Sequence, residues 1–249
     1  MDGPPIGDPV LEIAAWRALL TRVSAGELPE TLRVARPSRM VAFGKQDVVA
    51  SGYADAVGAA RGKGFEAVLR LAGGRAAVFH EGTIGLAHAV PEASPREGIR
   101  RRFETTAALI GRALSALGVD ARVGEVEGEY CPGTYSVSAR GERKLAGVGQ
   151  RLIANAAHVG SVIVVDDAAR VREVLLPVYA ALGLDWDPAT TGEVAAEATG
   201  VTWERVRAAL LDEYGREREL VPAELDEPTL ELARRLAAEH RAPATVAPG

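Results

Sequence analysis

The sequence predicts a mixed α/β fold (α+β): a β-sheet body flanked by helices, with a small helical extension at its C-terminal end. Three observations predict it. Short apolar runs of strand length are interspersed with helical spacings as far as about residue 184. Beyond Trp186 the strand signal stops, and helical spacings follow one another with no strand between. At 249 residues the chain is long enough to bury a full core. The division falls at 1–184 for the body and 185–249 for the extension.

Each element has its own signal. Residues 1–9 are rich in Pro and Gly and are expected to fray. From Val10 to about Ser24, Leu11, Ile13, Ala14, Ala15, Ala18, Leu19 and Val23 recur at helical spacing, and Pro9 suits the start. Thr31–Arg36 and Met40–Phe43 read as short strands around Pro37-Ser38, with Gly44–Asp47 as a turn. Tyr53 to about Lys63 is helical and closed by Gly64. Strands follow at Phe65–Arg70, Ala76–His80 and Ile84–Val90. Arg100 to about Leu117 carries Phe103, Ala107, Ile110, Leu114 and Leu117 on one face, with Gly118 as terminator. Its start, Arg100-Arg101-Arg102, is cationic where the helix dipole is already positive. That run either faces solvent or meets an anion.

Val119–Val126 reads as an edge strand. Tyr135–Ala139, a turn at Arg140-Gly141-Glu142 and Lys144–Val148 form a hairpin signature, and the second strand continues to about Asn155. His158–Val165 is the last strand, and Ala168–Leu182 is a helix expected to break at Pro177. Gly192–Thr199, Thr202 to about Tyr214 and Pro228 to about Glu239 are the three helices of the extension.

Composition excludes several classes. A net charge of -5 argues against a general nucleic-acid binder, which carries a basic surplus. No stretch approaches the roughly 20 apolar residues of a membrane span. The start has neither a basic segment nor an apolar run, so no signal peptide is expected. One cysteine cannot form an internal disulfide, which favours a reducing, cytoplasmic setting.

Chemistry concentrates in Gly128–Arg151. That stretch holds the single cysteine, Cys131, and thirteen residues later Lys144. Cys131 sits in Glu-Tyr-Cys-Pro-Gly-Thr-Tyr, where Pro132 and Gly133 forbid a continuous strand or helix. It is either a thiol presented on a turn, with Arg143, Lys144 and Arg151 near in sequence, or an inert structural cysteine. Lys144 either ends a hairpin in solvent or faces a pocket ahead of the small-residue run Leu-Ala-Gly-Val-Gly. A straight strand would hold Cys131 roughly 20 Å or more from Lys144 at ~3.3 Å per residue. The Cys131 segment must therefore fold back if the two are to meet, and a mobile loop closing over a substrate is expected.

A second locus is Arg70-Leu-Ala-Gly-Gly-Arg75. Gly73 and Gly74 let the backbone approach a ligand, and Arg70 and Arg75 suit an anion; the same residues also suit a tight turn with exposed arginines. The spacing is not that of a dinucleotide fold or a P-loop. His80, His88, His158 and His240 have no partner at metal-ligand spacing, so no metal site is expected. A Cys–His system using His80 or His158 stays open.

Taken together, Arg70–His80, Glu-Gly-Thr83, Lys144-Leu-Ala-Gly-Val-Gly-Gln-Arg151 and His158-Val-Gly-Ser161 resemble the biotin/lipoate protein ligase and octanoyltransferase superfamily over roughly residues 10–180. The Tyr130-Cys-Pro-Gly-Thr-Tyr135 element looks like the cysteine loop of its octanoyl- and lipoyl-amidotransferase branch. The resemblance implies a biotin/lipoate-ligase-like catalytic body. Cys131 would carry the acyl chain as a thioester and Lys144 would hold its carbonyl. Arg70, Gly73, Gly74, Arg75, His80, Gly147 and His158 would line the substrate site. Donor and acceptor would be a lipoyl domain or glycine-cleavage H protein, with no cofactor required. Two departures stand out: His80 is displaced by one residue, which would turn it to the other face of its strand, and Thr83-Ile84 replaces the asparagine common in the ligases. The resemblance leaves open an ATP/Mg-dependent lipoate–protein ligase, in which Cys131 is incidental and Arg70, Gly73, Gly74, Arg75 and Lys144 cradle an acyl-adenylate. A non-enzymatic lipoate- or biotin-binding module is the third reading.

Overall fold

Asp8 accepts hydrogen bonds from the Val10 and Leu11 amides at 2.8 and 3.2 Å, and Pro9 follows in the first turn. This cap starts α1 (Pro9–Ser24) in the computed structural model, which describes residues 6–243. The expectation of fraying over 1–9 therefore falls mainly outside the described residues, and Asp8 and Pro9 belong to the helix start.

Strands β1 (Thr31–Ala35) and β2 (Met40–Phe43) follow at the expected places but enter different sheets. Gly44–Asp47 is not a simple turn. It opens one turn of helix, α2 (Lys45–Val48), because Asp47 Oδ2 accepts from the Gly44 amide at 2.8 Å. Next come α3 (Tyr53–Gly62), β3 (Glu66–Leu69), β4 (Ala77–Phe79), β5 (Thr83–Pro91) and α4 (Ile99–Ser115). Then follow β6 (Ala121–Val123), β7 (Val137–Ala139), β8 (Arg143–Ile153), β9 (Ala156–Val164), α5 (Ala168–Leu182), α6 (Trp203–Gly215) and α7 (Glu227–Leu236).

Six strands form an antiparallel sheet in the order β1-β5-β9-β8-β7-β6, with β6 at the edge as predicted. A smaller sheet, β3-β2-β4, pairs β2 parallel to β3 and antiparallel to β4. The large sheet packs under α4 and α6 through Ile84, Ile110, Leu114 and Leu210. The small sheet packs under α3 and α5 through Val41, Val57, Val78 and Val174. Between the sheets, Ile13 and Trp16 of α1 meet Ala42, Ala77, Phe79 and Val162. That junction is where the site described below opens.

Two helical expectations change. Pro177 does not break α5, which runs on to a left-handed cap at Gly183. Val174, Leu175, Val178 and Tyr179 are buried on both sides of the proline, and tertiary burial holds a helix where local propensity would not. Gly192–Thr199 is not a helix; only Val194–Ala196 form a 3₁₀ turn. The Gly192 amide is drawn to the Lys144 carbonyl at 2.9 Å, and Glu193 Oε2 accepts from Ala168 N at 2.5 Å, so this segment bonds to its neighbours and not to itself. The other two helices of the extension lie on the body. Trp203 Nε1 of α6 donates to the Thr83 carbonyl at 2.8 Å, and Ala233 of α7 packs on Ala14, Ala15 and Ala18 of α1.

The arginine run at the head of α4 meets both solvent and protein carboxylates. Arg100 pairs with Glu104 in solvent, Arg101 pairs with Glu92 at 2.6 Å, and buried Arg102 donates to Gln150 at 2.9 Å. Among the described residues no helix is long and apolar enough to cross a membrane.

One buried ion pair ties the helix layer to the large sheet. Arg33 Nε of β1 donates to Glu12 Oε1 of α1 at 3.0 Å, and Trp16 Nε1 donates to the same oxygen at 3.1 Å. Both charged groups are sealed from water. Removing one leaves the other buried and uncompensated, a cost of about 3–5 kcal/mol. Glu12→Ala should lower unfolding stability by that amount in urea denaturation; a loss under about 1 kcal/mol would contradict it.

Candidate active site

The β7–β8 hairpin sets the geometry. Arg140 and Gly141 take φ of 55° and 80° at its turn, and Ser138 lies opposite Lys144, the expected register. One extra residue of β8 then bulges against the Val137/Ser138 step. Ahead of Val137 the chain leaves the sheet and folds back. The extended distance between Cys131 and Lys144 is never realised: Lys144 Nζ donates to the Cys131 carbonyl at 2.8 Å and to the Tyr130 carbonyl at 3.0 Å.

The loop is held from inside. Glu129 Oε1 accepts from the Gly133 amide at 2.8 Å and from Ser136 Oγ at 2.7 Å, and lies 3.4 Å from Lys144 Nζ. Tyr130 is buried, with its ring edge on Trp186 and the Lys144 ammonium 4.9 Å from the ring centroid. Cys131 itself has φ of 44°, in the left-handed region that non-glycine residues rarely adopt. Strain of this kind persists only where neighbours over-determine the backbone. Here Tyr179 of α5 does so. Its hydroxyl accepts from the Cys131 amide at 3.0 Å and donates to the Ala76 carbonyl at 3.0 Å. Burial holds the Tyr179 phenol far above its ordinary range, so it stays neutral and can keep both bonds.

The sulfur faces the glycine pair. The Arg75 amide points at Cys131 Sγ from 3.1 Å, and Arg70 Nη1 lies 3.8 Å away while donating to the Arg75 carbonyl at 2.7 Å. Arg75 turns its guanidinium to buried Asp47 at 3.3 Å. Gly74 has φ of 116°, and a Cβ there would stand 3.0 Å from Cys131 Sγ and 2.8 Å from Arg70 Nη1. The glycine is thus required twice, by its backbone angle and by the sulfur. Gly74→Ala should slow modification of Cys131 at least ~10-fold and cost about 1–3 kcal/mol of stability. Alkylation kinetics and urea denaturation read the two effects; wild-type alkylation would show that the glycine does not shape the sulfur's surroundings.

Cys131, Lys144, Gly73, Gly74, Gly147 and Val162 share the wall of a cavity of about 540 Å³. Phe103 of α4 and Tyr135 stack at 5.1 Å along it. Gly147 leaves room for the Lys144 stem, since a Cβ would approach Lys144 Cε to 3.3 Å. On the other side of the glycine pair a second cavity, of about 940 Å³, is lined by Lys45, Arg70, Arg96 and Arg151. Burial pushes the Lys144 ammonium down from its ordinary value, opposed by the charges of Cys131 and Glu129.

The two histidines do not join this wall. Ala77 lines the cavity and Phe79 shares its strand face, so alternation along β4 turns His80 the other way. His80 is buried at the β4–β5 turn, where its Nδ1 accepts from the Gly82 amide at 3.0 Å. It does not line the cavity that Cys131 and Lys144 share. His158 sits behind the cavity, stacked on Trp16 at 6.2 Å beside a void of about 20 Å³ shared with Arg70 and Ser161. Complete burial depresses it to about 3, so it is neutral. Neither histidine is within hydrogen-bonding reach of Cys131, and the open Cys–His pairing is not formed. Among the described residues no three His, Cys, Asp or Glu side chains gather into a metal site.

Sequence reading missed Glu129, Tyr179, Asp47 and Gly149. Glu129 stands two residues before Cys131 and carried a local signal; a buried carboxylate partner for Lys144 was its possible reading. Tyr179 and Asp47 come from other elements and carried none. Gly149 reveals itself only in space, where a Cβ would press on the Gly73 carbonyl at 3.0 Å.

Comparison with known proteins adds to this geometry. Residues 8–213 match the lipoyl protein ligase A/B catalytic domain family. An octanoyl-[GcvH]:protein N-octanoyltransferase of Geobacillus kaustophilus (strain HTA426) is 29% identical over 179 residues, covering 72% of this chain and 63% of that protein. A lipoyl-[GcvH]:protein N-lipoyltransferase of Listeria monocytogenes serovar 1/2a (strain ATCC BAA-679 / EGD-e) is 28% identical over 172 residues, covering 69% and 62%. The chain thus spans under two thirds of these relatives' own length. A bi-partite lipoate protein ligase from Thermoplasma acidophilum, studied with its E2 lipoyl domain, has the same fold, with a TM-score of 0.73 at 20% identity over 96% of this chain and 93% of that one.

Proposed function

The chain belongs to the lipoyl protein ligase A/B catalytic domain family, and from that membership and the geometry around Cys131 we propose that it is an acyltransferase. It moves an octanoyl or lipoyl group through a Cys131 thioester to a lysine of a lipoyl domain or glycine-cleavage H protein. One observation carries this reading. Cys131 Sγ stands on the wall of a cavity, in reach of the Arg75 amide, on a backbone that Lys144 fastens from below.

In the first step the Cys131 thiolate attacks the acyl carbonyl on the donor. The S–C bond forms, the donor's bond to that carbon breaks, and the leaving amine takes a proton. In the second, the acceptor lysine amine attacks the thioester carbon. The N–C bond forms, the C–S bond breaks, the thiolate is released and the amine gives up a proton. Splitting amide exchange this way gives the second step a good leaving group, the thiolate. The ammonium of Lys144 and the Arg75 amide supply positive charge near the carbonyl oxygen, where negative charge develops. In its resting arrangement Lys144 is bonded to loop carbonyls. Those bonds engage two of the ammonium's three donors and leave the third for an acyl oxygen.

The second reading, an ATP-dependent lipoate–protein ligase, draws support from Lys45, Arg70, Arg96 and Arg151 around the neighbouring cavity, which suit a polyphosphate. Intact-protein mass spectrometry separates the two readings. Incubation with octanoylated or lipoylated H protein, without ATP, should add one acyl mass to this chain, releasable by hydroxylamine. Labelling of an acceptor that needs ATP and leaves no adduct would overturn the transferase reading.

A further inference from the structure

The loop that carries Cys131 contains a charged group that the transfer steps do not use. Glu129 is 3% exposed. Its Oε1 takes the Gly133 amide, the Ser136 hydroxyl and the approach of Lys144, while its Oε2 is buried with no hydrogen-bond partner among the described residues. Buried polar atoms are normally paired, and buried carboxylates are normally compensated by charge. The two neutral donors on Oε1 leave Lys144 as the only cation among the described residues that forms an ion pair with this carboxylate.

Lys144 is in the reciprocal position. It is 1% exposed, and its two short bonds go to the carbonyls of Tyr130 and Cys131, which carry dipoles but no charge. Four groups face its ammonium: the Glu129 carboxylate, the Cys131 thiol, the Tyr130 ring and, repulsively, the Arg70 guanidinium. Burial favours the neutral amine, whose two N–H groups are weaker donors to the two carbonyls than those of an ammonium. An uncharged Lys144 would hold the backbone on which the sulfur is presented less firmly.

Resting on the transferase reading, we infer that Glu129 is a positioning residue: it keeps Lys144 charged, and through Lys144 it fixes the Cys131 backbone in its acyl-accepting conformation. Glu129 does not line the cavity and takes no proton from substrate. Its effect passes through the lysine.

The chain's three lysines, Lys45, Lys63 and Lys144, make the test direct. In protein labelled with ¹³C-lysine, the Cε signal missing from Lys144→Met identifies Lys144, and its shift against pH reports its charge. Glu129→Gln keeps an acceptor for Gly133 and Ser136 and removes only the charge. The Lys144 titration midpoint should fall by at least about one pH unit, because removing the carboxylate leaves burial less opposed. The alkaline limb of the transfer rate should move in the same direction while the acid limb stays. Ser136→Ala, which removes a neutral donor, should leave the Lys144 midpoint in place. If Glu129→Gln does not fold, Glu129→Asp withdraws the charge by one methylene and should give a smaller fall. An unmoved midpoint in the folded variant overturns the inference. The lysine signal needs no turnover, so a chain that titrates as expected but transfers nothing overturns the function alone.

Discussion

Cys131→Ser should abolish the acyl adduct and lower transfer at least ~10³-fold, the largest effect expected of any substitution in this chain. A serine fits the same backbone and can accept the Arg75 amide, so the loop should stay in place. What is lost is the nucleophile. A hydroxyl lacks the ionised form that a thiol supplies near neutral pH. Any ester formed would also be a poorer acyl donor than a thioester. Unfolding stability should change by less than about 1 kcal/mol, since Cys131 is only partly buried. The combination matters: an intact fold, no adduct and no transfer. Retained transfer with ATP would leave Cys131 incidental and move the chemistry to the neighbouring basic cavity.

Much of the body was readable because its signals are local. The α4 face at 103, 107, 110 and 114, the turn at Arg140-Gly141 and the strand pattern either side of it come from periodicity and backbone permissiveness within a few residues. The readings that changed were decided at long range. Pro177 stays helical because Val174 and Tyr179 are buried around it, and Gly192 leaves helical geometry to bond the β8 backbone. The site divides in the same way. Cys131, Lys144 and the Gly73-Gly74 pair could be singled out, since nucleophile, cation and double glycine announce themselves by type. The fold-back of the Cys131 segment was readable from Pro132-Gly133, but that Lys144 then bonds the carbonyl of Cys131 itself was not, because tertiary packing chooses the partner. The orientation of His80 was legible as well: strand alternation is strict, and its one-residue displacement sends the side chain to the opposite face.

Lys144→Met should uncouple two roles that the wild-type residue combines. The substitution keeps the stem's volume against Gly147 and removes the ammonium. Transfer should fall about 10²–10³-fold, the usual consequence of deleting one donor to a developing oxyanion. Stability should fall as well, by about 3–5 kcal/mol, because Glu129 is left as a buried carboxylate with no cation. Adding Glu129→Gln should restore most of the stability, since the remaining amide still serves Gly133 and Ser136 and leaves no charge uncompensated. It should restore none of the activity. Urea denaturation of the two single variants and the double variant gives the coupling between the residues, and single-turnover transfer gives the catalytic share. Recovery of both properties in the double variant would mean that Lys144 serves only to neutralise Glu129. Recovery of neither would mean that the loop depends on the ammonium's bonds to the Tyr130 and Cys131 carbonyls more than on the ion pair. Stability regained without transfer identifies Lys144 as a group that acts on the charge of the acyl oxygen, held in readiness by the very backbone that presents the sulfur.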